Sequence, residues 1–286
     1  MHLTPETISQ AFKEACLAEL QAIKPGNVHI FADGHGMVVQ DFIKSANVVA
    51  QVIALPNLRV GQRILKAVEA TQASVACNTN LGIVLLSAVI VQAALSAFVQ
   101  AAYSKPAPNL QLSIQQVLNT LSVEDAEFAY QAIRLAKPAG LGLVPHHDVN
   151  AAPNISLLAA MNAAKEHDLI AQQYSNGFAD IMHFGLNSYQ FAMQKWSNPT
   201  WATTYVYLSF LAHYPDSHVA RKYGVEVSKK LSAEAQQRLM ALAVLDNPKL
   251  YLSKLIAWDA DLKQRQLNPG TSADLTVATL LAVELL

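Results

Sequence analysis

At 286 residues, with 52% apolar and only 14% charged side chains, the chain can bury a large core, and its helices must turn most of their surface toward other protein. A formal net charge of −1 leaves no basic field to hold a polyanionic backbone, which excludes nucleic acid as an expected partner and makes any phosphate contact local. Two cysteines, Cys16 and Cys77, argue against a disulfide framework and for a reducing compartment; with no basic-then-apolar opening segment, a cytoplasmic location is expected.

Apolar residues recur at helical spacing almost throughout, and sustained period-two alternation is scarce. The expectation is therefore an all-α chain of about ten helices, with one domain spanning residues 1–286. Thr4 and Pro5 open the first helix, with Ile8, Phe12, Cys16 and Leu20 on one face, and Lys24-Pro25-Gly26 closes it. Helices follow at about Gln40–Ala54 and Arg59–Ala76.

The run from Thr71 to Ser104 holds no charged residue and is long enough to cross a bilayer. Its Ser and Gln interruptions, its alanines and the lack of a flanking Lys/Arg cluster identify it instead as a buried central helix, so no membrane partner is expected. Ser122 and Asp125 form a capping box for a helix to about Ala136, after which Lys137–Pro153 is irregular and long enough to be functional. Further helices are expected at 154–174, 177–196, 199–213, 216–230, 233–245 and 248–265. A last one follows Asn268-Pro269-Gly270.

Polar residues gather at the helix ends. Asn268-Pro269-Gly270-Thr271-Ser272-Ala273-Asp274 leads straight into an apolar helix, whose first amides and dipole would suit an anion. Thr271 or Ser272 could simply cap that helix; the functional reading needs Asp274 to hold a divalent cation, because a bare carboxylate repels phosphate. Asn78-Thr79-Asn80 repeats the pattern before the central helix, and Asp216-Ser217 precedes Arg221 and Lys222 on another helical start. His146-His147-Asp148 matches no zinc signature, and Asp180 and His183 share a helical face.

Taken in order, Glu19 with Lys24-Pro25-Gly26, Asp41-Phe42 with Ser45-Ala46, Asn78-Thr79 with Gly82, Asp216-Ser217 with Ala220-Arg221, and Asn268-Pro269-Gly270 with Ser272-Ala273-Asp274-Leu275 resemble the triphosphoribosyl-dephospho-CoA synthase family over nearly the whole chain. The resemblance implies an all-helical pentosyltransferase that breaks the adenine–ribose bond of ATP and passes the triphosphoribosyl group to dephospho-CoA, with magnesium on the triphosphate. Two departures stand out. Asn80 and Leu81 occupy positions where the family has His and Lys, and the family's Gly-Ala-Arg-Gly-Glu loop has no clear counterpart around Gly140 and Gly142. The chain is similar to a divergent branch from organisms that make tetrahydromethanopterin-type cofactors, which points to a pterin-type precursor as an alternative acceptor.

Ribosyl transfer needs a carboxylate near the sugar carbon, a proton for the leaving base and screening of the phosphates. On that basis Asp216 and Asp274 are expected to hold magnesium. Lys24, Asn27, Asn78, Thr79, Asn80, Ser217, Arg221, Lys222, Asn268, Gly270 and Ser272 are expected to bind nucleotide, and Asp148, His29 and His35 to carry acid–base work. The rival readings are a magnesium-dependent hydrolase and a nucleotide-binding relative without catalysis. The low charge content also suits a homodimer.

Overall fold

Capping chemistry places the first helix where the sequence does. In the computed structural model, which describes residues 3–101, 109–140, 142 and 146–286, Thr4 Oγ1 accepts the Thr7 amide while Thr7 Oγ1 accepts that of Thr4, and Pro5 opens α1 (Pro5–Gln21). There follow α2 (Val39–Ile53), α3 (Val60–Val75), α4 (Leu81–Ala101), α5 (Leu110–Asn119) and α6 (Val123–Ala136), the last opened by the Ser122–Asp125 box. Then come α7 (Leu157–Ala164), α8 (Leu169–Asn176), a π-helical turn (Asp180–Gly185), α9 (Leu186–Trp196) and α10 (Pro199–His213). The chain ends with α11 (Ser217–Tyr223), α12 (Val225–Ala243), a 3-10 turn (Pro248–Tyr251), α13 (Leu252–Gln264) and α14 (Gly270–Leu285).

The fold is all-α, with more breaks than the periodicity shows. The stretch expected as one helix at 154–174 divides: α7 ends at Ala164, and Asp168 caps a new helix, α8, accepting the Ile170 amide at 2.8 Å. The helix expected to reach 230 ends at Gly224, whose φ of +94° suits no other residue type well, and α12 then runs through the break expected near residue 232. The helix α5 lies where none was assigned. The Tyr103–Ser104 end of the uncharged run, Leu141 and residues 143–145 lie outside the described residues.

Among the described residues, two apolar clusters form the interior. One is built on α4 with α1, α2, α3, α5, α6, α8 and α14; the other lies between α10, α12 and α13. α10 serves both, presenting Val206 and Phe210 to the first and Tyr207, Leu208 and Leu211 to the second. Such sharing explains the scarcity of charge, since α10 and α14 have no solvent face to cover. α4 packs against α3, α5 and α14, and Val84, Leu86, Val89, Ile90 and Val91 are fully buried. Among the described residues no helix is long and apolar enough to cross a membrane.

Buried Arg63 locks the α2–α3 connection to α4. Its guanidinium donates to the carbonyls of Ile53 (2.7 Å), Leu55 (2.6 Å) and Leu58 (3.2 Å) and to Gln92 Oε1 (2.9 Å). A C-terminal end of a helix suits this cation, whose donors need no carboxylate when carbonyls satisfy them. This holds the α2–α3 connection against the middle of α4, whose first turn lines the cavity described next.

Candidate active site

A cavity of about 490 Å3 opens where the N-terminal turns of α4, α8 and α14 converge with α6, α7 and α11. Its size is that of a small-ligand site. One part is polar, with Glu19, Asn27, Asp168, Arg221, Asn268 and Asp274 in its wall; another is apolar, with Ile133, Leu157, Met161 and Ile170.

Two loops far apart in sequence build the polar floor. Gly26 has a φ of +84°, and a Cβ there would lie 2.8 Å from the Leu267 carbonyl oxygen and 2.9 Å from Pro269 Cδ, so the Lys24-Pro25-Gly26 turn fits against residues 267–269 only with glycine. Tyr207 Oη donates to the Pro25 carbonyl (2.7 Å), and the Gly26 amide donates to Asp259 Oδ1 (2.8 Å). Behind the wall, Lys24 Nζ donates to Glu19 Oε1 and to Asn27 Oδ1 (3.1 Å), while Asn27 Nδ2 donates to Asn268 Oδ1 (2.8 Å). Burial pushes the Glu19 carboxyl up and the Lys24 ammonium down from their usual values, and their mutual attraction opposes both shifts.

Asp274 has no hydrogen-bond or ion-pair partner among the described residues and lines the cavity. Burial, with the Asp216 and Glu19 carboxylates nearby, raises its pKa well above the carboxylate range. A carboxylate so placed is incomplete until a cation or proton joins it.

Asp216 is the opposite case and corrects an expectation. Its Oδ1 accepts the His218 (3.0 Å) and Val219 (3.1 Å) amides, and its Oδ2 accepts the Ser272 amide and hydroxyl, both at 2.8 Å. These donors fill the roughly four acceptor sites of a fully buried carboxylate, leaving none for a metal. Thr271 and Ser272 are likewise not caps of α14. Thr271 Oγ1 lies 3.0 Å from Ser217 Oγ and accepts the His218 amide at 3.1 Å, so the first turn of α14 is bonded to that of α11.

Other expected residues divide by position. Asn78, Thr79, Asn80, Asp148, Arg221, Asn268 and Gly270 reach the cavity wall. Asn78 Oδ1 accepts the Leu81 amide (3.1 Å), Thr79 donates to Ser45 Oγ (2.7 Å), and Thr71 donates to Asn80 Oδ1 (3.1 Å), which leaves the amide nitrogens of Asn78 and Asn80 without a protein acceptor among the described residues. The Asp148 segment is held by α6, where Tyr130 and Arg134 donate to the carbonyls of His147 and Val149.

Lys24 is spent on Glu19, and exposed Lys222 lies over the Tyr223 ring, so neither reaches the cavity as a free cation. His29 sits fully buried 3.3 Å from Asp259 Oδ2, and His35 Nε2 donates to the Gly26 carbonyl (2.8 Å); both histidines brace the 24–37 loop. Asp180 accepts from Gln173 and Asn176, and His183 pairs with Gln111; neither lines the cavity.

Asp168 and His218 are polar wall residues that were not singled out as site residues by sequence. Asp168 caps α8 with Oδ1 and accepts Arg221 Nη1 at 2.6 Å on Oδ2, holding the guanidinium in place; its signal was its position just before a helical run. His218 lines the cavity on α11, and the two-residue step from the Asp216 cap carried no separate signal.

Comparison with known proteins agrees with this architecture. A crystal structure of a candidate triphosphoribosyl-dephospho-CoA synthase from Archaeoglobus fulgidus superposes with a TM-score of 0.59 at 19% identity, covering 86% of this chain and 97% of that one, which supports the shared fold. A search of curated proteins gives no match. Residues 5–286 match the family model described as ATP:dephospho-CoA triphosphoribosyl transferase. Because that match runs through every element that lines the cavity, from α1 to α14, the chain belongs to the ATP:dephospho-CoA triphosphoribosyl transferase family, a family of transferases.

Proposed function

We propose that this chain cleaves the adenine–ribose bond of ATP and transfers the triphosphoribosyl group to a hydroxyl of a cofactor precursor. The observation that carries this reading is the pairing, in one cavity, of the unpartnered Asp274 carboxylate with the Arg221 guanidinium. Arg221 suits phosphate oxygens, and the N-terminal turns of α4 and α14 add oriented amides and dipoles. Among the described residues no cluster of three or more His, Cys, Asp or Glu could hold a metal by itself. Magnesium needs no such cluster, since it is commonly held by one or two carboxylates and the substrate's own phosphates. The residues therefore fit a cation that arrives with the triphosphate, with Asp274 as its protein ligand. When bound, such an ion neutralises phosphate charge.

As the bond to adenine breaks, positive charge grows on the sugar carbon, and Asp148 supplies a carboxylate in the same wall. The free amide groups of Asn78 and Asn80 orient sugar or phosphate oxygens. The apolar part of the wall suits a ring or alkyl portion of the acceptor, and both dephospho-CoA and a pterin-type precursor carry one.

The test is chromatographic detection of free adenine after incubating the protein with ATP and magnesium, alone and with each precursor. Release that depends on one precursor supports transfer and names the acceptor. Release of adenine and free triphosphoribose without an acceptor would favour hydrolysis, and ATP binding with no release under any condition would sink the reading.

A further inference from the structure

His218 lies in the cavity wall with Arg221, Asn268 and Asp274, and neither of its ring nitrogens has a protein partner among the described residues. Its backbone is fixed, because the amide donates to both Asp216 Oδ1 and Thr271 Oγ1. The ring lies against α14. A Cβ at Gly270 would lie 2.6 Å from His218 Nδ1, so the imidazole packs onto the first turn of α14 in space that only a glycine leaves. An unpaired imidazole packed here, in the same wall as the guanidinium and carboxylate of a ligand cavity, is arranged for a group that arrives from solution.

From this placement we propose that His218 is a catalytic residue of the transfer put forward above, taking the proton from the acceptor hydroxyl and returning it to the departing adenine. The proposal rests on that reading of the cavity. The step balances: the hydroxyl oxygen bonds to the sugar carbon as its proton moves to the imidazole, the carbon–nitrogen electron pair leaves with adenine, and the proton then passes to the adenine nitrogen. No proton is released overall, and no oxidant or further reactant is needed.

The surroundings keep the ring in the form this role requires. Burial lowers its pKa below the ordinary imidazole value; the Asp216 carboxylate opposes the shift, while Arg221 and Lys222 on α11 and His35 from the 24–37 loop add to it. Asp274 on α14 and Asp168 at the start of α8, which is ion-paired with Arg221, also line this cavity. A neutral imidazole is therefore present at neutral pH, ready to accept a proton.

The experiment measures adenine release against pH for the wild-type chain and for His218→Gln, with calorimetric binding of ATP to both. The expected result is a kcat about 100-fold lower or more in the variant, a KM for ATP within about twofold, and loss of the wild-type limb in which activity rises as the imidazole deprotonates. If His218→Gln does not fold, His218→Asn takes its place. Adenine release by the variant at the wild-type rate, or with the acid limb retained, overturns this role alone. No release by the wild-type chain with any acceptor overturns the transfer reading and this role together.

Discussion

Gly82 and Asp274 touch across the crossing of α4 and α14: a Cβ on Gly82 would lie 2.1 Å from Asp274 Oδ2, 2.6 Å from its Cγ and 3.2 Å from its Cβ. The absent side chain at the start of α4 is thus the space that the cavity's unpartnered carboxylate occupies. Gly82→Ala should destabilise the fold by about 1–2 kcal/mol, the lower part of the overpacking range, and reduce turnover about 100-fold by turning the carboxylate away. In an Asp274→Ala background the clash with Oδ2 and Cγ is gone. There only the 3.2 Å contact with Cβ remains, so Gly82→Ala should cost clearly less than in the wild-type background. Urea unfolding of the four proteins of this cycle checks the coupling, and equal costs in both backgrounds would contradict it.

Asp274 should make stability fall as pH rises. Its folded pKa lies above the unfolded value, so the folded state binds the extra proton; the full stability is present below the unfolded pKa and is lost as pH climbs toward the folded one. Asp274→Asn removes that loss. The variant should melt about 2–4 °C higher than wild type at pH 8, the shift expected of ~1 kcal/mol in a large domain, and no higher at pH 3. ATP with magnesium should stabilise wild type and do little for the variant. Thermal melts across pH, with and without nucleotide, decide both points.

Helix class and caps were legible because each rests on local chemistry. Thr4-Pro5, Ser122 with Asp125, and Asn198-Pro199 all open helices where the sequence places them. What sequence could not show was the use of a polar residue by a distant segment. Asp216 and Asp274 read alike as acids at helix starts, yet one is saturated by backbone donors from α11 and α14 while the other has none. Lys24, at a helix end, was expected to bind nucleotide, and folding buries it against Glu19. His218 was hidden for the same reason, since only the packing of α11 on Gly270 turns its ring into the cavity wall.

Asp216 should behave as a structural residue. Asp216→Asn puts an amide NH2 where a carboxylate oxygen now accepts two donors, breaking either the cap of α11 or its bond to the first turn of α14. The expected cost is about 3 kcal/mol or more, from a lost cap and buried unpaired donors. Denaturant unfolding without any metal or nucleotide checks it. A magnesium ligand would instead show wild-type stability under those conditions and a defect only when the ion is added.

The Glu19–Lys24 pair should show a loss that depends on which partner is removed and on pH. Both side chains are almost fully buried, so Lys24→Met leaves a carboxylate in the interior with its cation gone. Such uncompensated charges cost about 3–5 kcal/mol, whereas replacing both partners with neutral groups is often close to neutral. Glu19→Gln/Lys24→Met should therefore recover most of the stability lost in Lys24→Met. The single variant should also recover as pH falls, because Glu19, already pushed up by burial and now without its cation, escapes the penalty by taking a proton. Urea unfolding at pH 5 and pH 8 measures both effects. A Lys24→Met loss that is the same at the two pH values, or unchanged by Glu19→Gln, would show that lost packing of the lysine stem, and not the stranded carboxylate, sets the cost.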